Sequence, residues 1–449
     1  MLALVPGKSA LGSQWFLVGG AIRDALLGKP VSDFDVVVPR DPEGILPGLL
    51  RRVSRAAVVR LDHDVIRVVI SDVQLDLVRM QGQTIEQDLS KRDFTINAMA
   101  MTPRGRLIDP FGGLDDIDAG LIRTPNPENL AEDPLRCLRA FRFVSENGFR
   151  IDDATLKAIQ QNAPGLERVA GERIWFELRK TLAGPEVKTA LETGWAAGVL
   201  RVLLPELEDA DQVLGGNHLL GHMISTAHIA AKTIEHMDIT PFWHYRKHLE
   251  ILQDPDNRAV FVFAALLHDI GKPKTYTQEN GQVHFYGHDA LGAAMVKRIA
   301  KRLKTSKAQR DALVLLVSNH MHPHFLGQED GPTKRALNRF LRRTGQWAFP
   351  IILMAYADAL SSFLSHQGVV AHLILAKALH DFITEQEAQK KKQPRLVSGH
   401  DLIAMGLKPG PSFKTLLQEI DDLRAEGKVK TRDQALERLR KMVEQMEQG

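Results

Sequence analysis

The chain has 449 residues, of which 25% are charged and 44% hydrophobic, and a formal net charge of +3. This length suits about three domains, and the composition is that of an ordinary globular protein. With so small a net charge, the electrostatic field of the whole protein cannot attract nucleic acid. Any RNA-binding surface must therefore be a local basic patch.

Cysteine content and hydropathy favour a cytoplasmic protein. The single cysteine, Cys137, cannot form an internal disulfide, which fits a reducing compartment. The first residues do not follow a secretory-signal pattern. The longest apolar run, residues 259–267, is too short to span a bilayer, so we expect no membrane partner.

A glycine pair follows the first apolar run of the chain. Trp15 to Val18 are typical of a short strand, Gly19 and Gly20 of a tight turn, and the residues after them of a helix. Glycines at such a turn let backbone N–H groups approach an anion at the helix N-terminus. The sequence therefore predicts a phosphate-binding turn.

Two carboxylates, Asp33 and Asp35, follow shortly and lead into three valines. Residues two apart on a strand point to the same face, so this pair lies side by side. Magnesium prefers carboxylate and phosphate oxygens, and nucleotidyl transfer assisted by two metals uses such a pair. The alternative is a turn followed by an exposed Asp-x-Asp without a ligand.

Three further strands are predicted at residues 57–60, 66–70 and 75–79. Asp76 lies in the last of them. A third carboxylate on a neighbouring strand would complete a three-acid metal site, and the alternative is a solvated aspartate.

The cluster Lys91-Arg-Asp93 opens the next apolar stretch. Arginine suits triphosphate oxygens because its planar fork binds two of them at once. Asp93 would orient Arg92 or contact a ribose. A surface salt bridge is the alternative interpretation of this cluster.

From Glu132 the pattern is helical, and Asp133 and Arg136 share a helix face. A carboxylate accepts from the amino group of cytosine or adenine, while arginine donates to the neighbouring ring atom. Guanine and uracil carry a carbonyl in place of that amino group. The pair could thus select C and A without a template, although an ordinary intrahelical ion pair has the same spacing. Arg139 and Arg142 extend the positive charge toward triphosphate or RNA backbone.

Histidines accumulate in the middle of the chain, where His268-Asp269 ends a predicted buried helix. Such a set is typical of a divalent-metal cage. Its candidate members are His228, His268, Asp269, His288, His320, His322 and Asp358.

A polar, lysine-rich stretch at residues 389–395 predicts a linker. Beyond it, a Gly-Pro turn places Lys408 and Lys414 before a helix, where they could grip an RNA backbone. A plain helical cap at the C-terminus is the equal alternative.

Taken together, four motifs resemble the class II tRNA nucleotidyltransferases and the related bacterial poly(A) polymerases. The motifs are Leu17-Val-Gly-Gly-Ala-Ile-Arg-Asp24 with Asp33-Phe-Asp35, Lys91-Arg-Asp-Phe-Thr-Ile-Asn-Ala98, Asp109-Pro-Phe-Gly-Gly113, and Glu132-Asp-Pro-Leu-Arg136 with Arg139-Ala-Phe-Arg-Phe143. They stand in the family's order and cover the first third of the chain.

The resemblance implies an α+β fold. A polymerase-β-like nucleotidyltransferase head with a mixed sheet would be followed by an all-helical neck, an HD-type body and a tail. The expected boundaries are 1–123 for the head, 124–185 for the neck, 186–390 for the body and 391–449 for a tRNA-binding tail.

Site roles also follow from the resemblance. Asp33 and Asp35, with Asp76, would be catalytic and hold Mg²⁺, and Glu132, Asp133 and Arg136 would form the protein template for the incoming base. The residues expected to bind nucleotide are Gly19, Gly20, Arg23, Arg92, Asp93, Asn97, Glu132, Asp133, Arg136, Arg139 and Arg142.

The middle section resembles an HD phosphohydrolase domain. His228, His268, Asp269 and Asp358 would hold a second divalent metal, with His288, His320 and His322 as candidates for another site. An active hydrolase and a degenerate structural domain remain open.

One departure from the family concerns residues 80–90, which are fewer than in relatives that add the whole CCA. A loss of this loop marks relatives that add only CC, so we expect CC addition to the tRNA 3′ end from CTP, with a companion enzyme adding A. Full CCA addition, A addition with ATP, poly(A) synthesis and HD-type hydrolysis of nucleotides or RNA ends stay as alternatives. A non-catalytic RNA-binding protein is disfavoured because unscreened carboxylates repel phosphate.

Overall fold

The computed structural model describes residues 5–11, 14–39, 41–53, 55–62, 64–211, 213–214, 217–327, 331–362, 366–392, 396–425 and 427–447. The chain forms two compact units. The first comprises residues 1–320 with 357–363, and the second comprises residues 321–356 with 364–449.

The first unit begins with a seven-stranded mixed sheet, in the order β3-β4-β5-β2-β1-β6-β7. Only β2 and β5 run parallel, and every other neighbouring pair is antiparallel. The strands are β1 Phe16–Val18, β2 Asp33–Val38, β3 Ala56–Asp62, β4 Val65–Ile70, β5 Val73–Arg79, β6 Ala100–Met101 and β7 Leu107–Ile108. The mixed sheet and the three strands predicted after the aspartate pair are confirmed.

The burial pattern of β2 shows how the sheet packs into the core and where its carboxylates lie. Within β2 the three valines at 36–38 are fully buried, while Asp33 at its start is exposed and Asp35 is half-buried. The central strands thus carry apolar residues into the core and leave carboxylates at one end. That end adjoins the turn between β1 and the first helix.

Helices make up most of the remaining chain. They are α1 Gly20–Leu26, α2 Pro42–Leu50, α3 Ile85–Ser90, α4 Gly113–Asp118, α5 Glu128–Glu132, α6 Leu135–Asn147, α7 Asp153–Asn162, α8 Gly171–Ala183, α9 Val187–Ala196, α10 Val199–Leu203, α11 Leu219–Glu235, α12 Pro255–Leu267, α13 His288–Arg302, α14 Lys307–Asn319, α15 His322–Leu326, α16 Lys334–Thr344, α17 Ala348–Ser361, α18 His366–Lys392, α19 Gly399–Ala404, α20 Pro411–Ala425 and α21 Arg432–Glu447.

Short strands lie at the end of the expected head and within residues 124–449, the part expected to be entirely helical. Leu121–Ile122 (β8) pairs in parallel with Arg150–Ile151 (β9). Val213–Leu214 (β10) pairs with Asn217–His218 (β11), and Thr277–Glu279 (β12) with Gln282–His284 (β13). The hairpin of β12 and β13 turns through Asn280 and Gly281, both at positive φ, which suits an Asn-Gly turn.

One buried helix forms the core of the middle part of the first unit. Every residue of α12 from Ala259 to Leu267 is buried, so this helix is a core element that ends at His268. It packs against α8, α11 and α14. The predicted buried helix before His268-Asp269 is therefore confirmed.

The second unit closes around its own apolar cluster, centred on Leu402, Leu416, Ile420 and Leu439. The predicted linker at residues 389–395 is wrong for its first part, because α18 continues through Lys392. Residues 393–395 lie outside the described residues. Among the described helices, none combines the length and hydrophobicity needed to cross a bilayer.

Candidate active site

The turn between β1 and α1 forms the floor of the site. Gly19 adopts φ 69° and ψ −136° as the N-cap of α1, a conformation that only glycine adopts without strain. A Cβ built on Gly19 would lie 3.4 Å from Asp35 Oδ2 and 3.6 Å from Arg92 Nη1. A catalytic carboxylate candidate and a triphosphate-binding candidate thus converge over this glycine.

Strand register sets the row of charges beside the turn. Asp35 pairs with Asp76 across the parallel β2–β5 ladder, and Asp76 pairs with Arg67 across β4–β5. Residues paired in register share a face of the sheet. Burial raises the pKa of the Asp35 carboxyl above its usual value, Arg92 opposes this shift, and the negative charges of Asp76 and Asp33 add to it.

Asp76 lies beside Asp35, as predicted, but its carboxylate is occupied. It accepts two hydrogen bonds from Arg67, at 2.9 and 2.8 Å, and is only 8% exposed. It is therefore neither a solvated aspartate nor a lining residue of the cavity. Its role as a third metal ligand stays a prediction that requires Arg67 to release it.

A cavity of about 580 Å³ opens above this turn, between the sheet and helices α6 and α8. It brings together most of the residues that the sequence predicted to bind nucleotide. Those lining it are Gly19, Gly20, Arg23, Arg92, Asp93, Asn97, Asp133, Arg136, Arg139 and Arg142, and the predicted metal ligands Asp33 and Asp35 line it as well. Glu132 is exposed at the end of α5 and is not among the lining residues.

Arg92 and Asp93 do not pair with each other, so Asp93 does not orient Arg92 through a direct contact. Arg92 donates to the buried Asp88 at 3.0 Å. Asp93 accepts from the Phe94 amide at 2.8 Å, from Asn97 at 2.9 Å and from Arg139 Nε at 2.8 Å. Although burial acts in the opposite direction, these donors hold the pKa of Asp93 well below its usual range.

Asp133 and Arg136 are also held by other partners rather than by each other. Asp133 Oδ1 accepts from the Leu135 amide at 3.3 Å, and its Oδ2 accepts from Arg173 on α8 at 2.9 Å. Arg136 donates to the carbonyl of Asn129 at 3.1 Å. The intrahelical ion pair is therefore absent from the described part of the chain, and both side chains line the cavity.

A buried carboxylate that the sequence interpretation missed organises the next arginines. Glu177 on α8 is 2% exposed and accepts from Arg139 at 3.1 Å and from Arg142 at 2.9 Å. Arg142 also stacks on Phe143, 4.5 Å from the ring centre. Both arginines face the cavity but are held by internal partners, so their part in binding phosphate stays a prediction. No local pattern marks Glu177, because its partners lie 35 and 38 residues away.

Arg23 and Asn97 form the opposite wall. Arg23 Nη1 donates to Asn97 Oδ1 at 2.6 Å, and its Nε and Nη2 donate to Asp24 at 2.9 and 2.8 Å. The guanidinium lies 4.8 Å from the ring centre of Phe143. These contacts fix Arg23 as a rigid wall of the cavity.

A second set of functional side chains lies at the end of α12. His222, His268, Asp269 and Asp358 place their nitrogen and oxygen atoms within reach of one ion. His222 Nε2 is 3.4 Å from Asp269 Oδ2, 3.2 Å from Asp358 Oδ1 and 3.3 Å from His268 Nε2. Ligands at about 2.1 Å from a shared tetrahedral ion are about 3.4 Å apart, so the donors fit a divalent metal.

The other oxygen of Asp269 faces a second group. Its Oδ1 lies 3.4 Å from His288 Nε2 and 3.6 Å from His320 Nε2, and the two histidine nitrogens are 3.2 Å apart. Asp269 is 1% exposed, and the neighbouring positive groups, chiefly His268 and Lys272, hold its pKa well below the usual value despite burial. The prediction that His288 and His320 adjoin the metal set is consistent with this geometry.

Two histidines predicted for this site are elsewhere. His228 lies six residues after His222 on α11, which turns it about 240° round the helix. Burial and the nearby Lys188 and Lys232 lower its pKa. His222 takes the expected place, and the small Thr226 and Ala230 at i+4 and i+8 were the available signal for its face.

His322 is the second histidine outside this set. It belongs to the second unit, where Arg343 Nη1 is 3.1 Å from its Nε2. Lys408 and Lys414 are exposed in the same unit, and their predicted RNA contact stays a prediction.

The sheet, the aspartate pair and the histidine cluster define a class: a nucleotidyltransferase head joined to an HD domain. Matches to known families agree. Residues 15–84 and 78–123 match the Poly A polymerase head domain, residues 148–211 the probable RNA and SrmB-binding site of polymerase A, and residues 219–362 the HD domain.

Relatives give the family. An A-adding tRNA nucleotidyltransferase of Deinococcus radiodurans is 32% identical over 433 residues, covering 93% of each chain. A multifunctional CCA protein of Neisseria gonorrhoeae is 34% identical over 70% of this chain and 75% of its own. The chain belongs to the tRNA nucleotidyltransferase family of CCA- and A-adding enzymes.

Solved structures share the fold. The Thermotoga maritima CCA-adding enzyme complexed with tRNA is 20% identical, with a TM-score of 0.59 over 98% of this chain and 94% of its own. The Bacillus stearothermophilus CCA-adding enzyme in complex with CTP is 24% identical, with a TM-score of 0.59 over 99% and 98%. The predicted α+β head followed by helical segments is confirmed.

Proposed function

We propose that the cavity between the sheet and α6 transfers a nucleotide from CTP or ATP to the 3′ end of tRNA. The observation that carries this proposal is the convergence of Asp35, Arg92 and the Gly19 turn on one side of a cavity that Asp133 and Arg136 line on another. A triphosphate would lie over the glycine turn with its base toward α6. The attacking 3′-hydroxyl would approach from the open side, near Asp33 and Asp35.

The metal dependence of this family fits the residues present. Asp33 and Asp35 lie two apart on β2 and line the cavity, and Asp35 is partly deprived of solvent among other carboxylates. Such an excess of negative charge beside a triphosphate site suits Mg²⁺. When bound, the ion would lower the pKa of the attacking hydroxyl and neutralise the pyrophosphate leaving group.

Base selection would fall to Asp133 and Arg136. The carboxylate can accept from the exocyclic amino group of cytosine or adenine, and the guanidinium can donate to the adjacent ring atom. Arg173 and the Asn129 carbonyl hold the two side chains apart, so they do not pair with each other. Both line the cavity, where a base could contact them. Uracil and guanine would place a carbonyl against Asp133 and be rejected.

The connection before Arg92 supports a restricted product, of which CC addition is our first candidate. Only residues 80–84 separate β5 from α3. The Gln81 amide donates to Asp88 at 2.9 Å, and the Gln83 amide donates to Gln87 at 2.8 Å. This short segment, held by hydrogen bonds, leaves no free loop that could move the base-selecting residues between a position for C and a position for A. We therefore expect one base specificity to persist. A separate enzyme would then supply the final A.

A addition is the second candidate, because a relative that aligns over 93% of both chains is an A-adding enzyme. A fixed template is compatible with either restricted product. Full CCA addition and poly(A) synthesis require a change of specificity or unlimited extension, which the short connection disfavours.

Two tRNA transcripts separate these products, one ending before CCA and one ending in CC. A CC-adding enzyme extends the first transcript by two nucleotides when CTP alone is supplied. It leaves the second transcript unchanged when ATP is supplied. An A-adding enzyme extends only the second, with ATP. The Asp35→Asn variant should lose all incorporation, whereas Asp72→Asn, an exposed carboxylate of the β4–β5 turn, should retain it. Extension of neither transcript by the parent chain would refute the proposal.

The HD cluster supports hydrolysis of phosphoesters as an additional activity. His222, His268, Asp269 and Asp358 would hold a divalent metal there, which would supply Lewis-acid activation of a phosphate. Purified protein should hydrolyse 2′,3′-cyclic nucleotides with added divalent metal, and His268→Ala should abolish this but not nucleotide addition. Equal hydrolysis by parent and variant would refute the second activity and favour a structural domain.

A further inference from the structure

Helix α16 of the second unit carries an unusual concentration of positive charge. Its eleven residues include five basic side chains and no acidic one. Four of them, with Asn338, line a surface depression of about 380 Å³: Arg335, Arg339, Arg342 and Arg343.

The helix is anchored by its other side. Leu337, Phe340 and Thr344 are buried, and Thr333 caps the first turn by accepting from the Ala336 amide at 3.2 Å. The arginines follow at i, i+4, i+7 and i+8 and are all exposed. At 1.5 Å per residue they span about 12 Å along one face.

Helix stability explains only half of this charge. Cations in the last turn, Arg342 and Arg343, interact favourably with the helix dipole, but Arg335 stands in the first turn, where the dipole disfavours it. Like charges at i and i+4, such as Arg335 and Arg339, repel each other.

Ion pairs within the protein compensate two of the four arginines but not Arg335 and Arg339. Arg342 pairs with Asp422 at 2.6 Å, and Arg343 contacts His322. Within the described ranges, Arg335 and Arg339 have no carboxylate within ion-pair distance. An external anion is therefore the group that would offset their repulsion.

We propose that this arginine face is a docking surface for the phosphate backbone of an RNA, and, given the function proposed above, of the tRNA substrate. Arginine forks match phosphate oxygens bidentately, and a row of them neutralises several phosphates at once. Membrane binding by a helix requires an exposed apolar side, which here is buried. The core of a protein interface is a buried, mainly apolar patch, whereas the residues that line this depression are four arginines and Asn338.

The test is tRNA binding by the full chain as a function of salt, measured by fluorescence anisotropy between 50 and 300 mM KCl. Each lost phosphate contact reduces the slope of log Kd against log salt by about 0.7 to 0.9. Arg335→Gln/Arg339→Gln should therefore reduce the slope by about 1.4 to 1.8 and weaken binding up to roughly 25- to 60-fold at 0.1 M salt. Arg335→Lys/Arg339→Lys keeps both charges and should restore most of the slope.

The matched control is Lys377→Gln/Arg60→Gln. It removes two exposed charges that already pair with Asp381 and Glu43. A slope change in this control equal to that of the arginine pair would overturn the proposal, since it would reflect overall charge. An unchanged slope in the arginine variant, with a native circular dichroism spectrum and melting curve, would also overturn it.

Two further measurements assign the ligand and separate this proposal from the catalytic one. The first measurement is binding to vesicles of one part phosphatidylserine to three parts phosphatidylcholine. If the parent binds these vesicles and Arg335→Gln/Arg339→Gln does not, while tRNA binding is unchanged, the ligand is an anionic lipid surface and the RNA assignment is overturned. At saturating tRNA the arginine variant should keep the parent kcat for nucleotide addition. A parent that adds no nucleotide would refute the catalytic proposal while leaving the salt slopes interpretable.

Discussion

Replacing the buried carboxylate of Glu177 should loosen the wall of the cavity formed by α6 and α8. In Glu177→Gln the amide keeps one oxygen acceptor but turns an NH₂ group toward a guanidinium. Arg139 and Arg142 both donate to this side chain, so at least one of them loses its acceptor. Arg139 retains Asp93, whereas Glu146, at 3.6 Å, is the one carboxylate among the described residues that still pairs with Arg142.

Removing one partner of a buried ion pair costs about 3–5 kcal/mol, because the remaining charge is left uncompensated. Glu177 is 2% exposed and the side chain of Arg142 is 8% exposed, so solvent screens this pair little. The corresponding increase in amide exchange is roughly 140- to 4,000-fold, at tenfold per 1.4 kcal/mol. Hydrogen exchange with mass spectrometry on peptides covering residues 135–147 and 171–183 measures it locally.

The control is Glu172→Gln on the same helix, where an exposed carboxylate pairs with Lys304 at 3.2 Å. Its exchange should change little, because exposed pairs contribute about 0–1 kcal/mol. Glu177→Met/Arg142→Met, which removes both charges, should recover most of the protection. If Glu177→Gln exchanges no faster than Glu172→Gln, the carboxylate is not what holds these arginines.

Three further outcomes follow from the geometry. Gly19→Ala should lower kcat/KM at least tenfold and destabilise the head by about 1–3 kcal/mol, since φ 69° strains any other residue beside Asp35; unchanged nucleotide incorporation would contradict this. Because the folded pKa of Asp93 is below the unfolded value of about 3.9, its stabilisation is present above that pH and lost below it. The Tm gap between parent and Asp93→Asn should therefore shrink below about pH 4. His222→Ala should weaken Mn²⁺ binding by calorimetry at least tenfold while His228→Ala does not, and equal losses would refute the metal assignment.

Much of the head could be predicted because its signals are local. An apolar run, two glycines and an Asp-x-Asp on the next strand define a turn and a pair of carboxylates within twenty residues. The apolar pattern placed Asp76 on a strand, and the parallel β2–β5 register sets it beside Asp35. Because successive side chains of a strand point to opposite faces of the sheet, the strand pattern also predicted which face each residue lies on.

Side-chain partners could not be predicted in the same way. Whether Asp76 meets a metal or Arg67, and whether Asp133 meets Arg136 or Arg173, depends on which charged group another element brings within 3 Å. The error at His228 has the same origin. His222 shares a helix face with the small Thr226 and Ala230, and the packing of α11 against α12 turns that face, and not the face of His228, toward His268.

One buried amide connects the residue proposed to select the base with the residue proposed to bind the triphosphate. Asn129 is 3% exposed, and its side-chain NH₂ donates at 2.8 Å to the carbonyls of both Ser90 and Arg92. Its own carbonyl accepts from Arg136 at 3.1 Å. The proposed template arginine is thus fixed, through one residue, to the backbone of the proposed triphosphate-binding arginine. A short, tied segment before α3 fixes that backbone in turn, so a change in the position of the template would require breaking these hydrogen bonds. This linkage gives a physical reason to expect a single base specificity, whichever base it is.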